Sequence, residues 1–403
     1  LRLDHFLSLF SFLSLSLSLL GAQAHTLHGS FPKNFATLKK GISKKDLREI
    51  KVGYSLFSKP WVQAPSSTIR RDGIGPYFNA ISCMSCHDGM GRGAPPGVRH
   101  PREPSLVFKA NSKKISERFG THLSSRAIPD LKVEALVSLT TAKLGPHGLQ
   151  KPDYQMNGVS VAVSPRIAPQ LAGLGLIEKI KEKDIIANLH HSKGRLSLIN
   201  RRVARFGWKA SQVDLTHQVA AAFSADMGIT SALFPRENCQ EFDLDCLESH
   251  SGNDEEGVEI RQDHLGFVVK LMRSIQAPKP LKTIEKGLET FKKVDCQSCH
   301  RISYQVDGET IRPYTDLLLH DMGDALADSG TGELSRHWRT PPLWGIGSQK
   351  KVNGHNRLMH DGRAHGVREA ILWHSGEARQ SLKKFLELSK REQESLIKFI
   401  KTR

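Results

Sequence analysis

Apolar positions recur at helical spacing over 179–198, 212–224 and 281–294, whereas alternation at strand spacing is rare. The segment 276–280 carries two prolines and reads as a linker ahead of the helix at 281–294. Ser389 followed three positions later by Glu392 reads as a capping signal. The amphipathic helix behind it places Leu396, Ile397 and Ile400 on one face. At the other end, Leu7 to Leu20 is an uncharged Leu/Ser/Phe run, short of the ~20 residues a spanning helix needs. Ala22-Gln23-Ala24 follows as an A-x-A cleavage pattern, although the preceding positive segment is weak, Arg2 beside Asp4. An export signal over 1–24 is expected, with a membrane anchor as the alternative and no span after cleavage. The pattern predicts a mainly α fold.

A repeat overlies this pattern. Gly53-x3-Phe57 leads toward Cys83-Met84-Ser85-Cys86-His87, and Gly287-x3-Phe291 leads toward Cys296-Gln297-Ser298-Cys299-His300. Phe78 and Phe291 each stand five residues before the first Cys of their motif. C-x-x-C-H is the attachment signature of a c-type haem. Two thiols at that spacing reach the two vinyl groups of one porphyrin, and the adjacent His supplies the iron's proximal nitrogen. A zinc ribbon would join both pairs in one four-sulfur site, but they lie more than two hundred residues apart and a His follows each. A thioredoxin-like motif needs a neighbouring βαβ pattern and no trailing His. Two covalently bound haem c groups follow, on Cys83, Cys86 and His87 and on Cys296, Cys299 and His300.

The expected architecture is two cytochrome-c-like haem domains, 25–149 and 281–403. A largely helical or irregular middle block, 150–280, packs on the first. Covalent haem attachment and the export signal together place the protein in the periplasm. Cys239 and Cys246 remain, seven residues apart: a disulfide in an oxidising compartment, or two independent buried thiols. The net charge of +17 is scattered rather than striped and no nucleic-acid motif occurs. A basic face could steer an acidic electron donor.

Several segments resemble the dihaem oxidoreductases described as peroxidases. They are 72–80 (DGIGPYFNA), 88–96 (DGMGRGAPP), 205–210 (RFGWKA), 313–323 (PYTDLLLHDMG), 339–345 (RTPPLWG), 360–364 (HDGRA) and 369–374 (EAILWH). The resemblance covers about residues 50–403 and extends distantly to bacterial dihaem cytochrome c peroxidases. It implies electrons entering at the C-terminal haem and an oxidant, hydrogen peroxide or another small molecule, reduced at the N-terminal haem. The donor would be a small protein, a cytochrome or cupredoxin. The alternatives are a relay with two six-coordinate irons, or an enzyme that oxidises an organic or protein substrate. Relatives often carry a calcium-loop-like acidic run in the middle block. Here that place, 187–195 (ANLHHSKGR), has no acidic cluster, so calcium is in doubt.

The resemblance also suggests roles. His374 aligns with the position of the sixth ligand to the electron-transfer haem, with His320 and His360 as rivals near the haem edge; a surface His at a helix end is the plainer reading. No sixth ligand stands out for the first haem. His100 and His122 follow its motif without a pattern. Glu178, ending 170–178 (QLAGLGLIE), with Gln170 beside it, is the candidate acid/base for peroxide cleavage. An ordinary acid in a solvated helix is its alternative. Arg92 and Arg363 follow Gly-rich motifs and could pair with haem propionates. Trp208, Trp344 and Trp373 are either electron relays or core.

Overall fold

A computed structural model describes residues 35–96, 98, 105–110, 115–117, 121–134, 136–139, 143–156, 163–281, 284–329 and 332–403. The expected signal and His100 lie outside the described residues.

Each motif is preceded by a helix that crosses a later helix through a glycine. Helix Lys44–Ser58 starts at Ser43, whose hydroxyl accepts the Asp46 N–H, and packs on Gln262–Ser274. At the crossing, a Cβ on Gly53 would collide with the Phe267 carbonyl. Helix Glu285–Lys293 packs the same way on Lys390–Ile400, where a Cβ on Gly287 would strike Phe399 and the Ser395 carbonyl. Only glycine lets these backbones approach so closely. The repeated phenylalanines also share a placement. Phe57 lies 6.5 Å from the His87 ring and Phe291 lies 6.4 Å from the His300 ring, centroid to centroid.

The mainly helical expectation is corrected. The fold is mixed α/β, with helices interleaved among eight small antiparallel sheets in the described residues, seven two-stranded and one three-stranded. It is not a simple pair of cytochrome-c-like domains. The strands run for two to five residues, too short to impose a period-two pattern on the sequence. The three-stranded sheet pairs Leu106–Ala110 with His122–Leu123 on one side and Val163–Ile167 on the other. One apolar core unites Ile50, Phe57, Met84, Ile177, Leu271 and Leu317 from distant parts of the chain. A second, C-terminal core gathers Phe291, Val367, Phe385, Leu396 and Ile400.

Other boundaries shifted for local reasons. The expected helix 179–198 stops after Glu182–Ile186 and the 3-10 turn Ala187–His190. There Gly194 packs on the His320 ring, and Arg195 exchanges backbone hydrogen bonds with Leu319. The helix expected at 212–224 is Leu215–Met227, capped by the Asp214 side chain. The C-terminal helix carries the full capping box, Ser389 with Glu392. Cys239 and Cys246 form a disulfide. Among the described residues no helix is long and apolar enough to cross a membrane.

Candidate haem sites

The C-terminal motif opens into a cavity. Asp295, at φ 63°, turns the chain out of helix Glu285–Lys293 into the 3-10 turn Cys296–Ser298, and the His300 N–H then bonds the Cys296 carbonyl at 2.9 Å. His300 Nδ1–H donates to the Tyr314 carbonyl at 3.0 Å. Across the cavity, helix Val367–Leu372 ends at Trp373, and His374 Nδ1–H donates to the Ala370 carbonyl at 2.7 Å. Each backbone acceptor fixes a tautomer that leaves the Nε2 lone pair free. The two ring centroids are 6.4 Å apart, with planes at 44°.

That spacing suits one metal ion between the rings. Two metal–nitrogen bonds of ~2.0 Å, with each ring centroid ~1.1 Å beyond its nitrogen, sum to roughly 6 Å. Burial pushes His300 down to about 4 and holds His374 below its usual value, so both rings are neutral, the ligating form. Burial likewise pushes the Cys296 thiol up to about 12. Cys296, Cys299, His300 and His374 lie deep yet keep accessible surface, as residues lining an internal cleft do. These residues fit a covalently held haem.

The rival histidines are otherwise engaged. His320 is buried with Nε2 2.8 Å from Asp316 Oδ2 and Nδ1 2.7 Å from Glu377 Oε2. Against the pull of burial, Asp316, then Cys299 and Glu377, raise it to about 12. It is an imidazolium with no lone pair for iron, 3.5 Å from Cys299 Sγ. His360 stacks on Trp338 at 3.7 Å, and burial, followed by Arg363 and Arg166, keeps it neutral. Both rings line the cavity.

Around the N-terminal motif, Ser82 caps the short helix Cys83–Cys86 through the Ser85 N–H, and the His87 N–H returns to the Cys83 carbonyl. Burial pushes Cys83 and Cys86 up to about 12 and His87 down to about 4, with the backbone of Gly91 and Pro169 beside the ring opposing it. Asp226 lies deep beside both thiols; burial raises it to about 6 and Lys109 opposes the shift. Sheet register sets Lys109 opposite both His122 and Ser164, while Leu106, Phe108 and Ala110 bury on the other face. Burial, then Lys109 and Arg166, pushes His122 down to about 3. Sequence reading missed Asp226 and Lys109, and gave His122 no role. The alternation in Leu106–Ala110 was the available signal.

The remaining candidates separate. Glu178 accepts from Arg273 Nε at 2.6 Å, Arg273 Nη2 at 2.9 Å and the Leu215 N–H at 2.9 Å. It clamps three helices together. Gln170 instead lines the C-terminal cavity and donates to the Trp344 carbonyl. Arg92, five residues after His87, also reaches that cavity: Nη2 donates to the Met359 carbonyl at 2.6 Å, and the guanidinium lies 5.4 Å from the Trp208 ring. Arg363 pairs with buried Asp361 at 2.7 Å and lies over Trp373. Arg339, missed from sequence, is buried in the cavity wall. Of the tryptophans, Trp208 and the overlooked Trp338 line the cavity, whereas Trp344 and Trp373 are buried core. No group of three His, Cys, Asp or Glu suited to a metal ion occurs among the described residues, at 187–195 or elsewhere.

Two C-x-x-C-H turns, one with a second imidazole 6.4 Å from its own, supply the donor sets that two c-type haems would need. Residues 201–403 match the family described as "Di-haem oxidoreductase, putative peroxidase", and the chain belongs to this family. The N-terminal motif lies ahead of the matched residues. No curated protein matches. Among solved structures the chain is similar to hydrazine synthase of Kuenenia stuttgartiensis pressurised with xenon, at 12% identity and a TM-score of 0.35, over 100% of both chains. A likeness that weak carries no argument about this chain.

Proposed function

We propose that the chain is a periplasmic dihaem c-type oxidoreductase of peroxidase type. In this reading electrons from a small protein donor enter at the C-terminal haem, held by Cys296, Cys299, His300 and His374. Cys83, Cys86 and His87 would hold the N-terminal haem, which would supply the site at which hydrogen peroxide takes up two electrons and two protons to give two waters. The observation that carries it is the facing pair His300 and His374, 6.4 Å apart with each Nδ1 tied to a carbonyl. When bound, haem would supply the one-electron redox chemistry, and a pair of imidazoles such as His300 and His374 would suit an electron store.

The chain's own residues do the rest. The carbonyls of Tyr314 and Ala370 hold both imidazoles in the ligating tautomer. Arg92 and Arg339, which line the cavity wall, offer cationic partners for propionates, ahead of Arg363, which Asp361 occupies. Proton handling at the N-terminal haem falls to Asp226, Lys109 and His122, which lie in the polar layer beside its motif, ahead of Glu178, which Arg273 and the Leu215 N–H engage. The experiment is a peroxide titration of the fully reduced protein. One peroxide consumed per two electrons stored, at a rate above that of free haem, is expected. Reduced protein that leaves peroxide untouched makes it a relay.

A further inference from the structure

Residues 237–260 hold nine Asp or Glu and no Lys or Arg, in a chain of net charge +17. Glu259 is buried, but Glu241, Asp245, Glu248, Glu255 and Glu256 are exposed. Amid these acids stand three large apolar side chains in water: Phe242 is 65% exposed, Leu244 63% and Leu247 52%. In the short helix Leu244–Leu247 it is Cys246 that turns inward.

This face is held in shape. The Cys239–Cys246 disulfide closes it. Asp243 accepts the Cys246 N–H at 3.2 Å, and its other oxygen accepts the Tyr77 hydroxyl at 2.7 Å. Asn238 Nδ2 donates to the Tyr77 carbonyl at 2.6 Å. A rigid apolar cluster in an acidic setting is a surface shaped for contact, because nothing in its fold requires those side chains to face water. Its anchor, Tyr77, leads to Asn79 and Ala80, whose N–H groups bond the Asp226 carbonyl, and Asp226 lies beside Cys83 and Cys86. The face therefore lies on the N-terminal haem side of the molecule.

We propose that this face docks a basic redox protein whose apolar cofactor edge is ringed by lysines. The apolar centre of such a partner meets Phe242, Leu244 and Leu247, and its lysines meet Glu241, Asp245, Glu248 and Glu255. Opposite charge steers the encounter and fixes orientation, while a small apolar centre permits fast release. The compact patch suits a transient redox encounter better than a permanent dimer. The docking does not rest on the peroxidase reading: that reading brings the donor to the C-terminal haem, whereas a partner on this face would trade electrons with the N-terminal haem.

The test uses the full dihaem protein and mitochondrial-type cytochrome c as the basic probe, with acidic plant-type ferredoxin as the contrast. At ~20 mM ionic strength the basic probe binds, and binding fades as salt approaches ~0.2 M. Glu241→Lys with Asp245→Lys and Glu248→Lys weakens it at least about tenfold, and Phe242→Ser with Leu247→Ser speeds dissociation by a similar factor. The haem spectrum and melting temperature stay unchanged in both variants. Failure of the basic probe to bind, equal binding by the variants, or preference for ferredoxin overturns the proposal. A dimer in sedimentation velocity that the charge reversals dissolve assigns the face to a second copy and overturns it as well.

Discussion

His374 shows how a single residue acquires a role from its surroundings. The last turn of its helix offers the Ala370 carbonyl to Nδ1, which leaves the Nε2 lone pair free in a ring whose centroid lies 6.4 Å from that of His300. Replacing His374 by Gly is expected to leave two covalent haems, because attachment depends on the thiols, while the C-terminal haem becomes high-spin and binds carbon monoxide. An unchanged low-spin spectrum would move the ligand elsewhere. Its place in the sequence was legible only through the resemblance; the elimination of His320 needed the structure, because Asp316 is four residues away but Glu377 is fifty-seven. Glu237 carries a pH dependence of its own. Burial, and then Glu259 beside it, raises Glu237 to about 8. A carboxyl raised in the folded state contributes stability below its unfolded value, and that contribution is lost as pH rises through the folded one. Stability is therefore expected to decline from about pH 5 to pH 8, and Glu237→Gln should flatten that decline in denaturant titrations.

At the scale of elements, the two glycine-mediated helix crossings account for the repeat that the sequence displayed. Gly53 and Gly287 were visible as a spacing; their purpose, letting one helix backbone touch another, was not. Gly287→Val is expected to destabilise the C-terminal helix pair by about 2 kcal/mol or more, through overpacking against Phe399. The same change at exposed Gly257, a turn at φ 73° with nothing near its Cβ, should act only through its backbone. Thermal melts of the two variants separate these mechanisms. The short paired strands were illegible because each runs for only two to five residues, and some pair with distant segments, as when Tyr77 and Phe78 pair with Ala127 and Arg126. The 239–246 bridge was one of two open readings of its cysteines. Labelling the denatured, unreduced protein should find no free thiol once haem occupies the other four, and removing the bridge should cost about 2 kcal/mol for so short a loop.

Across the whole molecule, charge is distributed unevenly. The chain is strongly basic, yet the side that carries its N-terminal motif also carries the acidic, disulfide-closed face. Arg92 begins in the first motif region and ends in the wall of the second cavity, so the two sites are built from interleaved chain. Linear order hid this: both motifs were plain in the sequence, but the polar layer of Lys109, His122 and Asp226 joins residues from strands and a helix more than a hundred positions apart. The central claim is a division of labour between two unlike haems. Electron paramagnetic resonance of the oxidised protein, quantified against covalent haem content, tests it most directly. One low-spin and one high-spin ferric centre per chain, with peroxide acting on the high-spin centre first, is the predicted result. Two low-spin centres that peroxide leaves unaltered would contradict it.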